Sequence, residues 1–355
     1  MIHIDGAHGE GGGQILRTAL SLAAITGQAV HIDRIRLGRP RPGLAPQHLA
    51  GVRAVAELCD AEVSGAALGA TTLEFSPRRA PAAGDYVFDV AHARKGGSAG
   101  SVGLLLQAVL PPLALAPGHS RVILRGGTHV PWSPSFEYIQ RIYLPALRPM
   151  GVAAAVHLVR HGFYPRGGGE LLVEIEGRNG PLRALQRMER GSLETVRGLA
   201  AACDLPAHIA RRMAQRAHDL LRRAGMTAEV VPQHRCGGGP GAYLFLEARY
   251  EGGRGGFTAL GARGRPAEQV AEAACRDLLG FHASGAPVDL HLGDQLLLPV
   301  ALAVGTSRYR VQAVTAHLRT NAYVVQRFLP VAIHVQGGAD TPGTVTCHSP
   351  NDHGR

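Results

Sequence analysis

Apolar residues follow two different spacings along the first half of the chain. Short runs rich in β-branched residues occur at 1–5, 30–37 and 121–125. Between them, apolar residues recur every three or four positions, as at 14–26 and 46–59. The first spacing is typical of strands and the second of amphipathic helices. The alternation of predicted strands and helices along the chain predicts an α/β or α+β layered fold.

The pattern changes at about residue 183, where arginines become dense. We predict a helix at 205–224 with Ile209 and Met213 on its inner face and arginines outside, followed by strands at 228–231 and 242–250. Such a basic helix face is more often solvated than a nucleic-acid groove. The change in composition favours a smaller inserted domain.

From residue 281 the first pattern returns. We predict a helix at 294–304, a strand at 308–314 and a helix at 321–328. The chain after residue 337 is polar and rich in Gly and Pro. We therefore predict a large domain of residues 1–182 and 281–337, an inserted domain of residues 183–280, and a flexible tail of residues 338–355.

Composition and charge restrict the class of protein. The 355 residues are 45% hydrophobic and 18% charged, which predicts a sizeable core and excludes disorder. No apolar run is long enough to span a membrane, and no secretion signal precedes the first strand. The five cysteines are widely spaced, as is typical of reduced thiols in a cytoplasmic protein. The formal net charge of +10 favours anionic partners, although a coding bias towards Arg would give the same value.

A glycine-rich loop lies between the first predicted strand and helix. It reads Asp-Gly-Ala-His-Gly-Glu-Gly-Gly-Gly-Gln at 5–14. Glycines let backbone N–H groups approach an anion, and a helix N-terminus favours negative charge. Glu10 inside such a loop would suit a divalent cation that neutralises phosphates, and Arg17 on the helix could meet a second phosphate. The alternative is a tight turn with a surface carboxylate.

Three arginines follow in a loop stiffened by Pro and Gly. Arg36, Arg39 and Arg41 precede the helix that contains Gln47. Arginine binds phosphate through two parallel hydrogen bonds, so this loop could hold a phosphate group. A basic solvated loop is the alternative.

Two further segments carry polar groups at predicted helix starts. The segment at 98–107 opens with serines that could cap a helix and contains Gln107 in an apolar stretch. At 291–295, Asp294 is a candidate helix cap. His317 lies at a predicted strand end before a helix capped by Thr320 and Asn321, where it could be a general base, metal ligand or nucleophile. Each residue taken alone would more often be structural.

Several common catalytic motifs are absent from the sequence. No Walker A pattern, H-E-x-x-H, G-x-S-x-G or zinc-ligand spacing occurs. This removes the commonest NTPase, metalloprotease and hydrolase classes.

Taken together, five motifs resemble the RNA 3′-terminal phosphate cyclase family. They lie in order at 5–17, 161–169, 259–264, 291–299 and 317–321, and the resemblance covers the chain up to about residue 337. The resemblance implies an ATP-dependent ligase-type enzyme acting on RNA that ends in a 3′-phosphate. It also implies a large domain of three repeated β/α units, similar to the C-terminal domain of translation initiation factor 3, with a smaller α/β domain inserted.

The same resemblance implies a role for individual residues. His317 matches the nucleophile that becomes linked to AMP, and Glu10 matches a carboxylate that binds a divalent cation, Mg²⁺ or Mn²⁺. The implied nucleotide contacts are Gln107, Pro134, His291, Leu292, Gly293, Asp294 and Gln295. The candidates for binding the RNA terminal phosphate are Arg17, Arg39, Arg41 and Gln47.

Two other functions stay open from the sequence. One is an RNA-processing factor that resembles the cyclases but performs no adenylyl transfer. The presence of His317 and Glu10 favours catalysis over that alternative. The other is an enolpyruvyl-transferase-like enzyme, which would share repeated β/α units but need neither ATP nor a nucleophilic histidine.

Overall fold

The computed structural model describes residues 1–93, 98–235 and 237–350. It contains mixed sheets covered by helices, so the α/β class predicted from the sequence is confirmed. The described strands are β1 (Ile2–Asp5), β2 (Val30–Asp33), β3 (Glu62–Ser64), β4 (Leu73–Ser76), β5 (Asp85–Asp89), β6 (Gly118–Gly126), β7 (Ala153–Arg160), β8 (Gly169–Gly177), β9 (Leu182–Arg183), β10 (Gln186–Arg187), β11 (Leu193–Cys203), β12 (Ala228–Arg235), β13 (Gly241–Tyr250), β14 (Arg254–Leu260), β15 (Ala303–Val311), β16 (Ala332–Gln336) and β17 (Gly343–Ser349). The described α-helices are α1 (Gly13–Thr26), α2 (Pro46–Cys59), α3 (Val102–Ala114), α4 (Phe136–Tyr138), α5 (Leu144–Leu147), α6 (His208–Arg223), α7 (Ala267–Ser284), α8 (Leu290–Gln295), α9 (Leu297–Ala301) and α10 (Ala316–Phe328).

Three of the sheets share one strand order. The orders are β1-β2-β4-β3, β5-β6-β8-β7 and β10-β15-β17-β16, with β9 also pairing with β15. In each of these orders the first two strands are parallel and the other neighbours are antiparallel, and β9 also pairs parallel with β15. A helical connection joins β1 to β2 and β5 to β6, because parallel strands cannot be linked by a tight turn, and a much longer segment separates β10 from β15. The predicted likeness to the initiation factor fold stays a prediction.

A fourth sheet, of order β12-β11-β13-β14, lies in the chain between β10 and α8. Alternate residues of β13 point to opposite faces, as the pleat of a strand requires. Leu244 and Leu246 join the hydrophobic cluster under α6 and α7. Tyr243 and Phe245 join the cluster of the other three sheets. The predicted limits of the inserted domain, 183–280, stay a prediction.

Helix α1 connects the fold to the glycine-rich loop. Its buried face includes Ile15, Leu16 and Leu20, and it packs against α2, α3 and α10. Burying each such side chain is worth about 1.5–3 kcal/mol, so the position of α1 is firmly set. The helix ends at Gly27, whose φ of 69° is a left-handed conformation that glycine adopts without strain.

Two helix starts differ from the prediction. Helix α10 begins at Ala316 and not at 321, because the side chain of Thr315 accepts a hydrogen bond from the N–H of Leu318 at 3.0 Å. His317 therefore lies in the first turn of α10 and not at a strand end. Helix α8 begins at Leu290 because Asp289, and not Asp294, caps it. Thr315 and Asp289 are as good N-caps as the residues chosen from the sequence.

The prediction of a flexible tail after residue 337 is wrong for residues 343–349. These residues form β17, which lies between β15 and β16 and pairs with both. Val345 and Cys347 are buried while their neighbours alternate outward, which is the pattern of a half-buried strand. Residues 351–355 of the predicted tail lie outside the described part of the chain.

Within the described residues, no helix combines the length and the hydropathy required to cross a bilayer.

A buried polar network joins β13 to the segment of chain that follows β6. The Nε2 atom of His129 lies 2.8 Å from one oxygen of Glu137, and the hydroxyl of Tyr243 donates to the other oxygen at 2.5 Å. Thr128 contacts the other ring nitrogen of His129 at 2.8 Å. Burial alone would raise the pKa of Glu137, but His129 and Tyr243 hold that pKa below its ordinary value. The network thus fixes where the fourth sheet sits.

We expect Glu137→Gln to lower the free energy of unfolding by about 2 kcal/mol, because it weakens two buried hydrogen bonds to a charged group. Urea denaturation measures this change. Glu176→Gln is the matched control, since Glu176 is exposed and pairs with His119 at the surface. The control should lie within about 0.5 kcal/mol of wild type. Equal effects of the two substitutions would contradict the role assigned to the network.

Candidate active site where two helices begin

The glycine-rich loop takes a left-handed conformation that favours glycine. Gly9 and Gly11 have φ values of 58° and 57°. A Cβ atom on Gly12 would lie 2.1 Å from Oε1 of Glu10, and one on Gly9 would lie 2.3 Å from Oγ1 of Thr320. The loop is therefore wrapped closely around Glu10 and against α10.

Two contacts fasten this loop to α10. The backbone N–H of Glu10 donates to the hydroxyl of Thr320 at 3.2 Å. The ring of His8 stacks on Tyr323 with a centroid distance of 3.8 Å. As a result, the first turns of α1 and α10 meet at the same place.

The start of α1 has the features of an anion site. Its N-cap residue, Gly12, supplies no side-chain hydrogen bond, and the first turn contains no acidic residue. No side-chain cap from the described residues therefore takes up the first N–H groups of the helix, and the helix dipole adds positive potential. Phosphate groups bind at such helix ends.

Glu10 is the centre of the polar contacts here. One of its carboxylate oxygens, Oε2, lies 3.2 Å from Nε2 of His317 and 2.8 Å from the guanidinium of Arg39. The other oxygen, Oε1, is buried and has no hydrogen-bond partner within the described residues. The Glu10 side chain is 9% exposed, whereas that of His317 is 50% exposed. The histidine is therefore accessible and the carboxylate is enclosed behind it.

The residues present fit a divalent cation at Glu10. The unpartnered oxygen of Glu10 is a hard ligand of the kind that Mg²⁺ prefers. No group of three or more His, Cys, Asp or Glu side chains in the described ranges could hold a metal by itself. Mg²⁺ is commonly held by one or two carboxylates together with the phosphates of a substrate.

Two half-buried charged side chains, Arg17 and Asp294, lie behind this pair. Burial lowers the pKa of Arg17 to about 10, against the opposing effects of Asp294 and Glu10. Burial also raises the pKa of Asp294 to about 6, although His317 and His291 oppose the shift. Arg17 donates to Gln14 and leaves its Nε without a partner in the described part of the chain. An incoming anion would supply the acceptor that Arg17 lacks.

A chain of hydrogen bonds connects three helices beneath the site. Gln14 donates to Thr18 at 3.2 Å, and Thr18 donates to Asn321 at 2.6 Å. Asn321 in turn donates to the backbone oxygen of Asp294 at 2.9 Å. These bonds lock α1, α10 and α8 in one arrangement.

A cavity opens beside this chain. It encloses about 330 Å³ including its open mouth. Its lining combines polar side chains from α1, α3, α8 and α10 with apolar groups. The lining residues are Gln14, Arg17, Thr18, Ser21, Gln107, Pro111, Tyr143, Gln295, Leu298, Pro299 and Asn321. Oε1 of Gln295 is buried there without a partner among the described residues. The structure thus brings Gln107 and Gln295 to the same space as Arg17.

The other residues predicted to bind the nucleotide or the RNA phosphate lie in different parts of the structure. Gln47 accepts from the N–H of Ser101 at 3.4 Å and so lies near the start of α3. A Cβ on Gly103 would lie 2.7 Å from the oxygen of Pro134, which places Pro134 against the same helix. Arg41 is exposed.

The segment at 291–295 is divided between surface and core. His291 is exposed and lies edge-on to Tyr138. Leu292 is buried, and the oxygen of Gly293 accepts from the hydroxyl of Tyr309 at 2.9 Å. Within this segment, Asp294 and Gln295 are the residues whose side chains lie towards the site.

Sequence reasoning missed His48. This residue is buried, and its Nδ1 atom accepts from the N–H of Ala45 at 3.1 Å. A Cβ on Gly13 would lie 2.3 Å from its Nε2, so that nitrogen faces the start of α1. Burial lowers the pKa of His48 to about 3, and Arg36 and Arg17 contribute to the shift. His48 is thus neutral, with its proton on Nε2. Its only sequence signal was a histidine next to Gln47 at a helix start.

The chain is similar in sequence to known proteins of one family. The profile described as RNA 3′-terminal phosphate cyclase matches residues 8–335. The chain is 53% identical over 348 residues to the RNA 3′-terminal phosphate cyclase of Methylococcus capsulatus, covering 98% of this chain and 96% of the relative. It is 42% identical over 352 residues to that of Methanopyrus kandleri, covering 97% of this chain and 98% of the relative. These matches confirm the resemblance predicted from the sequence.

A solved structure also aligns with the chain. The enolpyruvyl transferase NikO from Streptomyces tendae matches with a TM-score of 0.38 and 11% identity, covering 95% of this chain. The chain spans 46% of that protein's length. A likeness at this level carries no argument about activity.

The lowered pKa of His48 predicts a loss of stability in acid. The unfolded histidine takes up a proton near its ordinary pKa of 6.5, whereas the folded one resists until about 3. Stability is therefore fully present above pH 6.5 and falls as the pH drops below it. From pH 7 to pH 5 the wild type should lose about 2 kcal/mol more than His48→Asn. Urea denaturation at both pH values measures this difference.

The control is His334→Asn, at an exposed histidine on β16. It should keep the acid sensitivity of the wild type. The same sensitivity in His48→Asn would show that this imidazole is not held neutral.

Proposed function

The chain belongs to the RNA 3′-terminal phosphate cyclase family, and from this premise we propose that it converts an RNA 3′-terminal phosphate into a 2′,3′-cyclic phosphate by using ATP. One observation carries the proposal. An accessible histidine, His317, lies 3.2 Å from the enclosed carboxylate of Glu10, beside a helix start suited to phosphate. That is an arrangement for a nucleophile acting on a polyphosphate.

In the proposed first step, an imidazole nitrogen of His317 attacks the α-phosphorus of ATP. A nitrogen–phosphorus bond forms and the bond to the leaving diphosphate breaks. The product is a histidyl–AMP adduct. The half-exposed position of His317 in the first turn of α10 supports this role, because the ring is open to a ligand while its backbone is fixed by the Thr315 cap.

The surrounding cations would bind the phosphates in this step. The guanidinium groups of Arg39 and Arg17 both lie beside the start of α1, within 2.9 Å of a Cβ on Gly12 and 3.4 Å of one on Gly13, respectively. Charges placed in advance stabilise the negative charge that develops during transfer. His48 adds a neutral N–H donor from below.

A divalent cation, Mg²⁺ or Mn²⁺, would be held by the free oxygen of Glu10 together with substrate phosphates. When bound, it would neutralise negative charge on the phosphates. Arg39 and His317 both contact the other oxygen of Glu10. Both side chains are therefore held next to the proposed cation site.

In the proposed second step, the RNA 3′-phosphate attacks the phosphorus of the adduct and His317 leaves. This gives an RNA-(3′)pp(5′)A intermediate. In the third step the neighbouring 2′-OH attacks the 3′-phosphorus, loses its proton, and displaces AMP. Activation is necessary because an unmodified phosphate would have to expel oxide. The 2′-OH needs no separate binding, because it belongs to the same ribose.

The cavity lined by Gln107 and Gln295 is the proposed place for the nucleotide. Gln295 has a buried oxygen without a partner in the described chain, which a donor on a ligand could satisfy. The predicted contacts from Pro134 and His291 belong to this proposal. We also propose a cytoplasmic location, which is supported by the buried thiols of Cys59, Cys203, Cys275 and Cys347.

The first test is covalent labelling with α-³²P-ATP and Mg²⁺, followed by denaturing electrophoresis. The wild type should retain label that acid or hydroxylamine removes, and RNA with a 3′-phosphate should discharge it. His317→Ala should carry no label, whereas His334→Ala, at an exposed histidine, should label normally. Absence of label in the folded wild type would sink the adenylylation mechanism and favour an RNA-binding factor without catalysis.

A second test concerns the cation next to Glu10. Arg39→Gln should reduce kcat/KM for cyclisation about 100-fold, because it removes a charge-assisted contact within the phosphate site. Arg53→Gln, on the exposed face of α2, is the control and should retain wild-type activity. Similar activity in the two variants would argue against a phosphate-binding role for Arg39.

A further inference from the structure

A second cavity lies outside the candidate active site and shares no lining residue with the cavity of Gln107 and Gln295. It encloses about 490 Å³ including its open mouth. Three parts of the chain line it: the helical segment after β6, strand β10, and the turn that joins β13 to β14. The lining residues are Ile142, Pro145, Ala146, Arg187, Arg249, Tyr250, Glu251, Gly252, Gly253 and Arg254.

Two of its three arginines already have carboxylate neighbours. Arg249 pairs with Glu194 at 2.9 Å. Arg254 lies 3.5 Å from Glu247 and donates to the backbone oxygen of Arg141 at 2.7 Å. Glu247 is shared, since Arg141 also approaches it at 3.7 Å. One carboxylate therefore serves two guanidinium groups.

Arg187 has no such neighbour. It is half-buried, and within the described residues no carboxylate lies within salt-bridge distance. Burial and the like charge of Arg254 both lower the pKa of Arg187. A partly buried cation that faces another cation is costly unless an anion accompanies it.

The carboxylate of Glu251, on the cavity lining, is hydrogen-bonded to a neighbouring turn. Oε2 of Glu251 accepts a hydrogen bond from the N–H of Ser192 at 2.8 Å. The carboxylate is thereby directed to the turn before β11. Positive charge consequently exceeds negative charge around the cavity, and the excess centres on Arg187 and Arg254.

We propose that this cavity binds a phosphate-type oxyanion, such as inorganic phosphate or a phosphate monoester. Arg187 and Arg254 would supply the principal hydrogen bonds, and Arg249 would contribute at the rim. Guanidinium groups suit a tetrahedral oxyanion because each can donate two parallel hydrogen bonds to it. The proposal is independent of the adenylylation chemistry above.

The cavity adjoins the candidate active site through one short helical turn. Residues Ile139–Tyr143 form a π-helical turn. Ile142 lines the arginine cavity, whereas the next residue, Tyr143, lines the cavity of Gln107 and Gln295. An anion bound to Arg187 would tie this helical segment to β10 and to the β13–β14 turn, and so stabilise the folded protein.

The test uses the full chain and inorganic phosphate as the probe. Thermal unfolding and calorimetric titration are compared in phosphate and in chloride at equal ionic strength. Phosphate should raise the Tm of the wild type. Arg187→Gln should weaken phosphate binding at this site about tenfold or more. Arg183→Gln, at an exposed arginine on the neighbouring strand β9, is the matched control and should bind as the wild type does.

Phosphate binding at the candidate active site must be separated from binding here. Arg39→Gln should reduce only the active-site component and leave the Arg187-dependent component intact. If Arg187→Gln does not fold, Arg254→Gln provides the same test. Equal phosphate binding by wild type and the folded cavity variants would overturn the proposal, as would loss of all binding in Arg39→Gln. A crystal soaked in phosphate should show density within hydrogen-bond distance of Arg187.

Discussion

The enclosed carboxylate of Glu10 sets the arrangement of everything around it. It is held between His317 and Arg39, and its own backbone N–H is fixed to Thr320. A carboxylate so little exposed needs partners of opposite charge or hydrogen-bond donors. The loop can bring the carboxylate to α10 only because glycine at position 12 leaves room for its oxygen. The glycines, the helix starts and the arginine loop are consequences of that one requirement.

The charged groups around Glu10 have strongly shifted pKa values. Burial lowers the pKa of Arg17 and His48 and raises that of Asp294. The charged form of each group is therefore less stable in the protein than it would be in water. Groups whose environment shifts their pKa in this way cluster at functional sites. The buried hydrogen bonds from Gln14 to Asn321 maintain the arrangement, so little reorganisation would accompany binding.

The spacing of apolar residues predicted a helix well where one face of that helix is clearly apolar. Helix Pro46–Cys59 has the predicted limits, because a proline start and a regular stripe mark it. The start of α10 was wrong because Thr315 and Thr320 are both competent caps, and only the contact of Thr320 with the distant loop distinguishes them. The strand after residue 337 was missed because its sequence is polar and rich in Gly and Pro, whereas its pairing with β15 and β16 on either side exists only in the folded sheet. His48 was missed because burial and close approach to Gly13 exist only in the folded chain.

The third sheet has a consequence for how the chain folds. Its parallel neighbours β10 and β15 are separated in sequence by the whole fourth sheet, and β17 completes it from the far end of the described chain. Closing so long a loop costs conformational entropy before any contact repays it. Folding of the intervening segment would bring the ends of that loop together first. During synthesis the first two sheets can form early, whereas the sheet that precedes and follows α10 must wait for the last strand. The helix that carries His317 is therefore among the last parts to acquire its native surroundings, and in a nascent chain His317 and Glu10 would not be brought together until the fold is essentially complete.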